Sequence, residues 1–169
     1  MNQEYEIIYF MNITLYSVGK IKEKFYRQAI EEYEKRLGRY CKLKIIEVAD
    51  EKTPDHASET RQFQIKAKEG ERLEKQIKEG TFLIALAIDG KKMDSVAFAD
   101  KIGKLGLHGI SEIGFVIGGS LGLSETILKR ADMRLSFSDM TFPHQLMRVI
   151  LLEQIYRAYR ILSNEPYHK

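Results

Sequence analysis

Short apolar runs alternate with helical periodicity from Met11 to the end of the chain. The stretches NITLYSVG (12–19), KLKIIEVA (42–49), TFLIALAID (81–89), SEIGFVIG (111–118) and RLSFS (134–138) have the length and residue types of strands. TFLIALAID is the most apolar and suits a central strand covered on both faces. Between the strands, apolar positions recur every three or four residues. Ile21, Phe25, Ala29, Tyr33 and Leu37 predict one helix face, with Gly38 as its stop. Ser58 is placed to cap a second helix reaching Lys78, with Phe63, Ala67, Leu73 and Ile77 on its buried side. Asp94 or Ser95 opens a third helix to about Leu105, and Ser124 caps a fourth to about Ala131. A fifth spans Pro143 to Leu162. Strand and helix alternate throughout, so the expected fold class is α/β, a single domain around a mainly parallel sheet. No repeat, low-complexity tract or linker divides it.

Composition narrows the partners. The chain has 169 residues, enough for one ordinary core, and its net charge of +3 permits an anionic partner without requiring one. A single cysteine, Cys41, excludes an internal disulfide and a multi-cysteine zinc site. A reduced thiol and a cytoplasmic location are expected. No apolar run reaches the roughly 18 residues of a membrane span, so no membrane partner is expected. MNQEYEIIYF carries no basic segment ahead of its apolar patch, which argues against a secretory signal. Met11 heads a second plausible start. Residues 1–10 therefore read either as an extension outside the fold or as a start placed too early.

Four stretches offer chemistry, each with a plainer reading. FVIGGSLGL (115–123) runs a strand into Gly118, Gly119 and Gly122. It matches neither the dinucleotide fingerprint nor the P-loop. It reads equally as a tight strand-to-helix turn and as a ligand contact at the carboxyl end of the sheet. SFSDMTFPHQ (136–145) interleaves Ser and Thr with Phe and Met and carries one carboxylate, Asp139. Such a loop suits a flat, weakly charged heterocycle better than a triphosphate, though a strand end packing its aromatics explains it too. The helix after it is apolar almost all round at its front, as in a central helix or a subunit interface. His144 and Arg148 share one of its faces, and so do Glu153 and Arg157, the second pair reading as a structural ion pair. The terminal PYHK brings Tyr167 and His168, either frayed or closing over a site. Lys20, Lys22, Lys24 and Arg27 form a basic stripe that suits phosphate or a solvated face equally. No HExxH, His/Cys metal spacing or GxSxG elbow is present, so no metal is expected. Cys41 has no histidine near it in sequence, which leaves a thiol nucleophile unsupported.

Taken in order, ITLYSVGKIKEKFYRQAIEEYEKRLGRY, FVIGGSLGL, LSFSDMTFPHQLMRVILLEQIYRAYRI and NEPYHK resemble the RlmH family of SPOUT-class rRNA methyltransferases over residues 11–169. The resemblance implies a SPOUT-type domain with a C-terminal trefoil knot, a homodimer and an S-adenosylmethionine site. That site would fall on Leu86, Gly118, Phe137, Ser138, Asp139, Met140, Thr141 and Phe142. The implied substrate is a pseudouridine in the helix 69 loop of 23S rRNA in the assembled ribosome, methylated at N3. Within the matched motifs, His144 and His168 are candidates for base or relay, Arg148 for holding phosphate or steadying charge on the uracil ring, and Tyr167 for stacking on the base. Water remains open as the base. Two other readings stand beside this one: a non-catalytic module that binds the ribosome or a nucleotide, and a SPOUT enzyme with a different target nucleotide.

Overall fold

The computed structural model describes residues 11–169, and the reading of 1–10 as an extension lies outside the described residues. Five strands and five helices alternate: β1 (Asn12–Val18), α1 (Lys24–Leu37), β2 (Lys42–Val48), α2 (Glu59–Glu74), β3 (Phe82–Lys92), α3 (Ser95–Leu107), β4 (Glu112–Ile117), α4 (Glu125–Arg130), β5 (Met133–Ser136) and α5 (His144–Leu162). The strands form one sheet in the order β2-β1-β4-β3-β5, and every pairing in it is parallel.

Period-two alternation sorts the sheet's two faces. Ile13, Leu15, Ile84, Ile113, Phe115 and Ile117 meet α1, α3 and α5 in the larger core. Tyr16, Val18, Leu83, Ala85 and Val116 meet α2 and α4 in the smaller one. The central strands are thus covered on both sides, as their apolar runs require. Ser58, Asp94 and Ser124 cap α2, α3 and α4 by accepting from Arg61, Ala97 and Ile127 backbone N–H groups at 3.2, 2.8 and 3.3 Å.

Two residues of the expected helix faces are turned to solvent. Phe25 is 60% exposed and Phe63 59%, while Ile30 and Ile65 are buried. At 100° per residue, Phe25 lies about 140° around α1 from Ile30, and Phe63 about 160° around α2 from Ile65. The rest of each expected face meets the core, with Leu37, Leu73 and Ile77 buried and Ile21 and Tyr33 packed against it, so only the two phenylalanines at the N-terminal ends depart from the expectation.

β3 runs past its expected end at Asp89 to Lys92, and its pairing with β5 slips, so that Leu135 faces both Leu86 and Lys91. The bend between them brings Gly90 against the β5 backbone. A Cβ there would lie 2.7 Å from the Leu135 nitrogen and carbonyl carbon, a space only glycine leaves free.

Candidate active site

A cleft of about 590 Å³ opens at the carboxyl ends of β3, β4 and β5. The middle of β3, at its register slip, supplies Leu86 and Ile88, the turn after β4 supplies Gly118 and Ser120, and the segment from β5 to α5 supplies residues from Leu135 to His144. Parallel strands leave this end of the sheet free of side-chain cover, because each connection departs to one face or the other.

The glycine turn is shaped by its own closure. Gly122 N–H donates to the Gly119 carbonyl at 3.1 Å, and Gly122 holds φ +87. A Cβ on Gly118 would stand 2.4 Å from the Gly122 carbonyl carbon. What comes close to the Gly118 backbone is therefore Gly122, and the turn can fold flat enough to form one wall of the cleft. Behind it lies Glu69 of α2, almost wholly buried: Oε1 accepts from Glu51 N–H at 3.1 Å, and Oε2 has no partner. Burial first, and then the nearby Asp50, raise its carboxyl above the usual 4.5.

The loop opposite is held by its own hydroxyls. Ser136 Oγ donates to the Ser138 carbonyl at 3.1 Å, and Met140 N–H donates to Ser138 Oγ at 2.9 Å. Phe137, Ser138, Met140, Thr141 and Phe142 line the cleft together with Leu86 and Gly118. Asp139 does not line it; its carboxylate pairs with Lys92 on the exposed side of the loop. Ile88 and Met147 are lining residues that the sequence patterns did not single out. Met147 stands three positions after His144, a spacing that marks it as a same-face neighbour.

His144 opens α5 and is the lining residue with a titratable side chain. Burial, and then the positive charge of Arg148 one turn on, hold its imidazole below the ordinary 6.5, and Lys22 adds to the effect against the opposing pull of Asp50. At neutral pH the ring is uncharged, with one nitrogen free to accept a proton.

Arg148 stands differently from the expectation that it faces substrate. It is 1% exposed. One terminal nitrogen donates to Glu47 Oε2 at 2.7 Å, and the other to the Val18 and Gly19 carbonyls at 2.7 and 2.9 Å. A buried guanidinium needs such partners, and the end of β1 and the β2 side chain provide them. Its place is under the cleft, tying α5 to the end of β1.

The tail is ordered, and it is held away from the cleft of its own chain. Glu165 accepts from Tyr40 Oη at 2.9 Å and pairs with Arg160. Tyr167 packs edge-on against Tyr156, with its ring 4.7 Å from the Arg157 guanidinium, and donates to Glu153 Oε1 at 3.2 Å. Arg157 Nη1 is 3.2 Å from His168 Nδ1. Glu153 and Arg157 form the expected ion pair, at 2.7 Å. Arg157 is thirteen positions after His144, so the tail sits about 20 Å along α5 from the cleft. Cys41 is buried, and burial pushes its thiol up to about 12, which removes it as a nucleophile.

The family model described as "Predicted SPOUT methyltransferase" matches residues 11–168. The chain belongs to the SPOUT methyltransferase family. Among curated SPOUT relatives, the ribosomal RNA large subunit methyltransferase H of Bifidobacterium adolescentis is 69% identical over 159 residues, 94% of this chain and 100% of that protein. The protein of the same name from Clostridium tetani is 60% identical over the same shares. Among solved structures, a probable methylase family protein from Haemophilus influenzae superposes with TM-score 0.52 at 13% identity, over 96% of this chain and 71% of that one. That likeness concerns the fold, and it agrees with the α/β sheet described above.

Proposed function

We propose that this SPOUT methyltransferase modifies large-subunit ribosomal RNA, with S-adenosylmethionine as methyl donor held in the cleft between the glycine turn and the 135–144 segment. The observation that carries the reading is the chemistry of the lining. Apart from His144, none of the lining residues is ionisable, and apolar and aromatic side chains dominate. No lysine or arginine is there to meet a phosphate. Such a cleft fits a nucleoside without phosphates, and its size lies in the range of small-ligand sites. Leu86, Phe137 and Phe142 would cover the adenine faces, while the backbone of Gly118 and of 138–141 would read its edge. Asp139, outside the lining, would act only through the loop that it ties to Lys92.

Bound S-adenosylmethionine supplies an activated methyl group, whose sulfonium sulfur leaves as a neutral thioether. The protein's contribution is alignment and proton removal. The target follows the resemblance to the RlmH family: N3 of a pseudouridine in the helix 69 loop of 23S rRNA. N3–H is a poor nucleophile until its proton leaves, and His144, which lines the cleft, would take it. Arg148 acts indirectly, by seating α5 and keeping His144 uncharged.

The working form is inferred to be a cytoplasmic homodimer. Tyr167 and His168 lie far from their own cleft, and Met140, on the cleft rim, is 74% exposed. A second chain across α5 would bring its tail to this rim. The resemblance also implies a trefoil knot in the C-terminal half, and the close passage of Gly90 against β5 is compatible with a threaded chain. Calorimetric titration with S-adenosylmethionine tests the site: saturable binding competed by S-adenosylhomocysteine is expected, and no heat from folded protein at high micromolar ligand contradicts it.

A further inference from the structure

A second surface borders the cleft, and methyl transfer leaves it unused. After β1 the chain turns through Gly19 (φ +82) towards α1, and this stretch is firmly pinned. Gly19 N–H donates to the Val48 carbonyl at 2.8 Å, Ile21 N–H to Glu47 Oε2 at 3.2 Å and Lys22 N–H to Gln145 Oε1 at 3.2 Å. Gln145 follows His144 directly, so the loop backbone is fixed beside the cleft.

Its lysine side chains reach no partner among the described residues, and Arg27 Nη1 donates only to the Ile21 carbonyl, at 3.4 Å. Lys20, Lys22, Lys24 and Arg27 are exposed, and among the described residues none of them pairs with a carboxylate. With Glu23 as the one acidic residue, the eight residues 20–27 carry a net +3, equal to the +3 of the whole chain. Residues 11–169 carry a net +5, so more than half of their positive excess stands at this corner. In the middle of it Phe25 is 60% exposed, its ring centroid 4.2 Å from that of Tyr26. An aromatic left in water among unpaired cations has no role in the core. It matches the requirements of single-stranded RNA, which offers phosphates for the cations and unstacked bases for the ring.

We infer that segment 20–27 is the RNA-docking surface of this enzyme: the lysines and Arg27 engage phosphates flanking the target nucleotide, and Phe25 stacks on an unpaired base beside it. The inference rests on the rRNA reading above. Its pinned backbone would set the register of the RNA against His144.

The test compares wild type with K20S/K22S/K24S and with Phe25→Ala, using assembled ribosomes that lack the modification. Affinity is measured from 0.05 to 0.3 M salt, together with KM and kcat for methylation. Three lost contacts lower the slope of log affinity against log salt by about 2, and weaken binding roughly 50-fold at 0.15 M. Phe25→Ala weakens binding about tenfold with the slope unchanged, since stacking releases no counterions. Cofactor affinity and kcat stay at wild-type values in both. Equal affinity and slope in the triple variant would overturn the proposal, and so would a change of oligomeric state in Phe25→Ala, which would make the ring a subunit contact. If wild type methylates and the triple variant matches its KM, only the docking surface fails. If wild type neither binds nor methylates the ribosomes, the rRNA reading fails and takes this one with it.

Discussion

Replacing Gly118 with alanine tests the glycine turn at its tightest point. The added Cβ would stand 2.4 Å from the Gly122 carbonyl carbon and 2.6 Å from its oxygen, where ordinary contacts begin near 3.4 Å. The obstacle is backbone, so no rotamer change relieves it. The turn must open by about 1 Å, and overpacking of this kind costs about 2 kcal/mol. For a domain of this size that lowers Tm by roughly 4–8 °C. The same displacement moves a cleft wall, and a loss of about 1.4 kcal/mol in ligand contact is tenfold in Kd. Gly38→Ala is the control: its φ is −56 and a Cβ there would lie 3.5 Å from the Lys35 carbonyl oxygen, so it should hold or raise Tm and leave cofactor binding alone. Thermal unfolding and calorimetry with S-adenosylmethionine provide both readings. A Gly118→Ala protein with wild-type Tm and wild-type Kd would refute the claim that the turn closes on Gly122 to build the site.

Other expectations follow from the same geometry. Arg148→Met strands the Val18 and Gly19 carbonyls and the Glu47 carboxylate, and should cost about 3 kcal/mol in urea unfolding. The His144 imidazole is held below 6.5, so the acid limb of kcat should fall below that pH and vanish in His144→Asn, whose residual rate is low and flat. Glu69 titrates above its usual 4.5 in the folded state, so the native state holds its proton longer than the unfolded one. Stability from this group is therefore lost as pH rises from about 4.5 through the raised value, and Glu69→Gln should gain on wild type over that window in pH-dependent unfolding. Truncation after Ser163 removes the partners of Tyr40 and Arg157 at the tail. Methylation should be lost while cofactor binding and the dimer persist, as size-exclusion chromatography and calorimetry would report.

Local pattern carried most of the architecture. β1 through β5 were readable because each is a short apolar run closed by a polar or glycine break, and Ser58, Asp94 and Ser124 signalled helix starts through side chains that bond only three residues away. Residues whose environment comes from distant chain were not readable. Arg148 looked open because it follows a loop and shares a face with His144, yet its partners lie 101 to 130 positions earlier, on β1 and β2. The glycines of the turn were legible as a close approach, while the identity of the approaching group was not. Tyr167 and His168 were legible as a chemically equipped tail; their seat on Tyr156 and Arg157 depends on how α5 packs. Phe25 and Phe63 were misplaced because an apolar residue at helical spacing fits either side of a helix until the sheet chooses one.

The central claim is that this cleft moves a methyl group to large-subunit rRNA. Its most direct test is to incubate ribosomes lacking the modification with the protein and methyl-labelled S-adenosylmethionine, then map the label by nuclease digestion and mass spectrometry. The account predicts one labelled nucleotide in 23S rRNA, a pseudouridine of the helix 69 loop carrying the methyl on N3. Label on another nucleotide or on a ribose oxygen, or no label in the rRNA from protein that binds the cofactor, would contradict it.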